Sequence, residues 1–222
     1  MQPEFLAALY FLGLFLLLVI ITQVLYNLLK LKAETSRKFL HVGGGILALC
    51  LPLFIRSHWT VLILCSLAFL LLLVTYIKRL LPSVHATNRT SAGSVVFPIP
   101  VYICFYVAFN YHYDLLYYVP VSILTIPDAI AEWSGRRWGH LGRNYFNGQK
   151  TLAGSLGFAI SCLPVCLFWF LQAHELSALQ VVVVTVVITI IATLIELISL
   201  KGYDNLSVPL VVLVVLWFYL IS

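Results

Sequence analysis

The chain has 222 residues, of which 62% are hydrophobic and only 9% charged, and its formal net charge is +5. This balance excludes an ordinary soluble domain, because too few polar residues are present to cover a water-facing surface, and it makes lipid the main solvent. The positive excess does not indicate a nucleic-acid face, since sorting of basic residues to one side of a membrane accounts for it.

A spanning helix needs roughly 20 mostly apolar residues. In chain order, apolar runs predict helices near 5–29, 41–55, 59–77, 95–111, 115–133, 156–173, 179–200 and 206–221. The runs at 41–55, 95–111 and 206–221 are short and need tilt or local thinning of the bilayer. The expected fold class is all-α, a polytopic transmembrane helical bundle of about eight helices. No gap is long enough to fold alone and no repeat or low-complexity tract divides the chain, so residues 1–222 are expected to form one domain. The first run carries Glu4, no preceding basic residue and no small-residue cleavage site, and is expected to stay as a helix. Cys50, Cys65, Cys104, Cys162 and Cys166 all lie in apolar runs without a CxxC pair, and read as small core residues.

With eight spans, Lys30, Lys32, Arg37, Lys38, Lys78, Arg79, Arg89, Arg136, Arg137, Arg143, Lys150 and Lys201 share one side, and of the 13 basic residues only Arg56 faces the other. The positive-inside rule then predicts cytoplasmic polar loops and non-cytoplasmic termini. The same loops hold most glycines together with His41, Asn88, Asn147, Asp204 and Asn205, so polar chemistry is expected there.

Asp128 and Glu132 fall inside an apolar run and, four residues apart, project from one helix face about 6 Å apart. Glu196 is expected at a similar depth in a later helix. Ionisable groups in a bilayer are costly enough to signal function, and converging acids need a cation between them. Magnesium suits them, since it takes one or two carboxylates plus phosphate oxygens and water. The plainer alternative is that Glu132 reaches the interface beside Trp133 and Glu196 pairs with Lys201 or another basic loop residue. Pro127 removes a helix hydrogen bond just before Asp128 and is expected to open the helix there.

The stretch GRRWGHLGRNYFNGQKTLAGS, 135–155, combines glycines that let backbone N–H groups approach an anion with Arg136, Arg137, Arg143 and Lys150 as phosphate donors. Gly135, Gly139 and Gly154 are among those glycines. Either Thr151 or Ser155 is expected to cap the following helix and aim its N-terminus at the same anion. The stretch is not a Walker loop, because GxxxxGK[ST] is absent. Arg37 and Lys38 are either phosphate ligands or topogenic charges, and the same two readings hold for Arg89. Asp204 and Asn205 either cap the last helix or contact a metal or hydroxyl.

In order, SRKFLH at 36–41, RTSAGSVVFP at 89–98, PDAIAEWSGRRWG at 127–139, GQKTLAGSLG at 148–157, Glu196 and DNLSVPL at 204–210 resemble the CTP-dependent lipid-alcohol kinases, which include phytol, dolichol and fungal diacylglycerol kinases. Family members often have GD where this chain has Pro127-Asp128, and aspartate where it has Glu132. The resemblance implies transfer of the γ-phosphoryl group of CTP, with Mg2+, to a membrane-embedded alcohol of polyprenol, phytol or diacylglycerol type. It implies that Asp128 and Glu132 hold magnesium, or that one of them accepts the alcohol proton. It further implies that Arg136, Arg137 and Lys150 hold the nucleotide phosphates, with Glu196, Asp204 and Asn205 completing the metal or nucleotide shell; Arg37, Lys38, Arg89, Thr151 and Ser155 are expected beside them. A bacterial inner membrane or endoplasmic reticulum is the expected location. The rival readings are a phosphatidate cytidylyltransferase, whose usual C-terminal signature is absent here, and a non-catalytic transporter or scaffold.

Overall fold

The computed structural model describes residues 2–85, 92–141, 144–145, 150–173 and 176–221. Arg89, Arg143 and Asn147 lie outside the described residues. In chain order the helices are α1 (Gln2–Leu29), α2 (Ala33–Phe54), α3 (His58–Ile77), α4 (Pro82–His85), α5 (Gly93–Val96), α6 (Pro98–Tyr111), α7 (Leu115–Thr125), α8 (Pro127–Trp138), α9 (Leu152–Leu171), α10 (Ala178–Ile198) and α11 (Asp204–Leu220). A 3-10 turn, Gly139–Leu141, follows α8. Asn144–Tyr145 and Lys150–Thr151 add a minimal antiparallel strand pair to the expected all-α class.

Seven of the described helical segments are long and apolar enough to cross a membrane: α1, α2, α3, α5 with α6, α7 with α8, α9 and α10. The eighth expected span is α11, whose 17 residues reach about 25 Å at 1.5 Å per residue. It crosses a hydrocarbon core of about 30 Å only with thinning. The second helix begins at Ala33 instead of 41, because its charged first turns face the protein interior and not lipid.

Two rings of contact organise the bundle. Helix α1 packs on α2 and α3, α2 on α7, α7 on α6, and α6 on α3, which encloses a space between α2 and α3. The second group runs α8 on α9, α9 on α10, α10 on α11, and α11 back on α7. The α7–α8 span is the most buried of the seven and belongs to both groups. Lipid provides no hydrophobic drive between helices, so close approach relies on small residues. A Cβ added at Gly45 of α2 would collide with Thr125 of α7, and one at Gly157 of α9 with Ser134 of α8.

Pro127 breaks the central span as its chemistry predicts. The lost N–H and the ring end α7 at Thr125 and start α8 at Pro127, with Ile126 bent to φ −95 and ψ −60. The ladder resumes at once, since Ile130 N–H bonds the Ile126 carbonyl at 3.0 Å. Near the break the Leu124 carbonyl bonds the His41 ring at 2.8 Å.

Candidate active site

The first turns of α2 face α8, and three charged positions there meet the two acids expected from the sequence. Lys38 Nζ stands between Asp128 and Glu132, paired with Asp128 Oδ2 and lying 3.0 Å from Glu132 Oε2. Arg37 reaches the same Glu132 oxygen at 3.1 Å. Arg136, one turn beyond Glu132, pairs with its other oxygen and with Glu34 at 2.9 Å. His41 Nε2 lies 3.3 Å from Asp128 Oδ2. Spacings of three and four place Glu34, Arg37 or Lys38, and His41 on one face of α2.

A second group faces the first. Lys150 Nζ bridges Glu196 at 2.5 Å and Asp204 at 2.9 Å, and Ser155 Oγ donates to the other Glu196 oxygen at 3.2 Å. Burial opposes the Lys150 charge, but the carboxylates of Asp204 and Glu196 outweigh it and raise the lysine pKa above its ordinary value. Asp128, Lys150 and Glu196 line the same cavity. Two lysine-bridged carboxylate pairs therefore share one site, and an ammonium occupies the place between each pair where the sequence suggests a cation.

Backbone and glycine contacts hold the walls together. Thr151 caps α9, accepting from the Gly154 N–H at 3.0 Å, so of the two proposed caps Thr151 serves and Ser155 turns to Glu196. The stretch from 135 to 155 is helical at both ends and not one continuous loop. Gly135 and Gly139 lie against Thr151, where added Cβ atoms would come within 2.9 and 2.8 Å of its side chain, so these glycines allow α8 to approach the start of α9. Ala92 N–H donates to the Lys201 carbonyl at 3.0 Å, and a Cβ at Gly93 would meet Asn205 Nδ2 at 2.8 Å. Asn205 is thus buried beneath the turn between α10 and α11.

Both ion-paired groups border one cavity of about 840 Å³. Its wall includes Arg37, Lys38, Asp128, Glu132, Gly135, Arg136, Gly139, Lys150, Thr151, Gly154, Glu196, Asp204 and Asn205 of the expected site. Ser155 touches it only through Glu196, and Arg137 is exposed and not part of the wall. The cavity also includes residues the sequence reading did not assign: Glu34, His41, Ser94 and Lys201. Glu34 and His41 were legible as the one-turn neighbours of Arg37 and Lys38, and Ser94 only as a member of the 89–98 motif. Its Oγ is buried and has no hydrogen-bond partner among the described residues.

From this charged end the cavity continues as an apolar trough between α2 and α3, with Leu47 and Leu51 facing Leu64 and Leu72 and with Phe11 and Phe15 of α1 across the front. Glu4 and Arg56, whose backbone N–H donates to the Glu4 carboxylate at 3.4 Å, lie at the opposite end of the bundle.

Fold and site together define a polytopic membrane protein whose ion-paired pocket opens directly into a lipid-like slot. The chain is similar to the phytol kinase of Synechocystis sp. (strain ATCC 27184 / PCC 6803 / Kazusa), 25% identical over 200 residues that cover 90% of this chain and 85% of that protein. The likeness therefore extends over most of an entire kinase. No protein-family model matches the chain, and no solved structure matches it.

Proposed function

We propose that the protein is a lipid-alcohol kinase that transfers the γ-phosphoryl group of a nucleotide, CTP by the family resemblance, to the hydroxyl of an isoprenoid or similar membrane alcohol. One observation carries the reading: a single cavity joins two lysine-bridged carboxylate pairs to an apolar trough. The similarity to a phytol kinase supports it. Phosphoryl transfer asks the protein mainly for positioning and charge neutralisation, and the two ends of the cavity offer these separately.

Among the described residues no group of three His, Cys, Asp or Glu could hold a metal ion. Each pair nevertheless offers the one or two carboxylates that magnesium takes when phosphate oxygens and water complete its shell. Asp128 with Glu132, or Glu196 with Asp204, would hold Mg2+, which would neutralise phosphate charge. The cations already serve carboxylates in the resting site, so a polyphosphate needs this added charge. Arg37, Arg136 and Lys150 would offer donors to phosphate oxygens. Glu132 meets three cations and would belong to the nucleotide end, whereas Asp128, beside His41, would accept the alcohol proton.

The test is to incubate purified protein with γ-labelled nucleotides and a panel of lipid alcohols. Label in a lipid monophosphate with release of nucleoside diphosphate supports the reading. A CDP-lipid with pyrophosphate would establish the cytidylyltransferase instead, and no nucleotide turnover would point to a transporter or scaffold.

The proposal also needs the charged end to face the cytosolic nucleotide pool, as the basic residues predict. In a background lacking the five native cysteines, cysteine at His140 should react with an impermeant reagent only from the cytoplasmic side, and cysteine at Ser57 only from the other. Labelling of both from one side would refute this orientation.

A further inference from the structure

One stripe of the trough wall on α2 comprises Lys38, His41, Gly44, Ala48 and Leu51. Spacings of three and four keep these residues on one helix face, at increasing depth from the charged end. Gly44 differs from its neighbour in what surrounds it. A Cβ built on Gly45 strikes Thr125, so that glycine serves helix packing, whereas a Cβ on Gly44 meets nothing within 4 Å. A helical glycine is less stable than alanine, and no neighbour at Gly44 requires one. What it borders is the trough.

We propose that the α2 stripe gauges acceptor chain length, with Gly44 keeping the trough open and Leu51 marking its far limit. This rests on the lipid-alcohol reading above. At 1.5 Å per residue, Gly44 lies about 9 Å, Ala48 about 15 Å and Leu51 about 20 Å beyond Lys38. An extended chain with C–C bonds near 1.5 Å advances about 1.25 Å per carbon, so these levels correspond to roughly 7, 12 and 16 chain carbons. Ile55 and Val61 beyond Leu51 are fully buried and do not border the cavity, so the open space ends near that level. A side chain introduced at Gly44 projects into the path of the alcohol without displacing another helix, and a smaller residue at Leu51 deepens the trough.

The experiment measures kcat/KM of the full-length protein in lipid nanodiscs for primary alcohols of about 6, 10, 16 and 20 chain carbons, against the wild type. Filling a hydrophobic slot by a few methylenes discriminates by tenfold or more. Gly44→Leu should therefore lower the ratio of 16-carbon to 6-carbon kcat/KM at least about tenfold, and Gly44→Ala should lower it less. Leu51→Ala should raise the 20-carbon to 16-carbon ratio. An equal effect of Gly44→Leu on every chain length would overturn the gauge. If that variant does not accumulate, the Gly44→Ala and Leu51→Ala ratios decide, and no change in either also overturns it. Failure of the wild type to phosphorylate any alcohol would instead remove the kinase reading itself.

Discussion

Asp128→Asn is expected to lower phosphoryl transfer on the order of a thousandfold, the size of effect that a positioned acid or base contributes. The carboxylate is buried at the junction of the charged pocket and the trough, with Lys38 and His41 against one of its oxygens. Asparagine keeps the shape and removes the charge, so it loses both affinity for a proton and affinity for a divalent cation. The fold should survive, because Lys38 retains Glu132 at 3.0 Å as a partner. Steady-state turnover with saturating alcohol and nucleotide, beside the thermal midpoint in detergent, checks both parts. Turnover within a few-fold of wild type would remove Asp128 from the chemistry.

Lys150→Met should damage stability as well as rate. The lysine is the bridge between Glu196 and Asp204, and the three side chains are only 13%, 6% and 16% exposed. Removing one partner of a buried pair leaves an uncompensated charge, at a cost of about 3–5 kcal/mol. Adding Glu196→Gln should recover part of the lost stability by removing one of the stranded charges, yet leave turnover depressed, because the Lys150 ammonium is still missing from the phosphate site. Recovery of turnover in the double variant would show that Lys150 serves only the fold. The pH dependence has a definite sign. A lysine whose folded pKa lies above its unfolded value contributes stability fully below about pH 10.4 and loses it only as pH rises through the higher folded value. Between about pH 6 and pH 9 the thermal midpoint of the wild type should therefore show no change attributable to Lys150. A decline in that window that disappears in Lys150→Met would contradict the geometry.

Much of this protein is legible one element at a time. Apolar runs placed the long helices, with the start of α2 missed by eight residues because its first turns are charged, since lipid burial acts on each segment separately and leaves its mark in local composition. Pro127 announced the bend in the central span, since a missing N–H is a property of that residue alone. Asp128 and Glu132 declared themselves by the cost of charge in an apolar run. The partners of those acids were another matter. Lys38 meets Asp128 across 90 positions and Lys150 meets Glu196 across 46. From the sequence Lys150 belonged with Arg136 and Arg137; the fold instead gives Lys150 to Glu196 and Asp204, gives Arg136 to Glu132 and Glu34, and leaves Arg137 outside. The glycines of the 135–155 stretch likewise looked free to cradle an anion, but Gly135 and Gly139 are used where α8 meets Thr151. Local composition is enough to read the solvent, the helices and the acids that must be satisfied. Which cation satisfies which acid, and that an apolar trough ends beside them, depend on which helix faces touch, and that is set by close contacts between residues far apart in the chain.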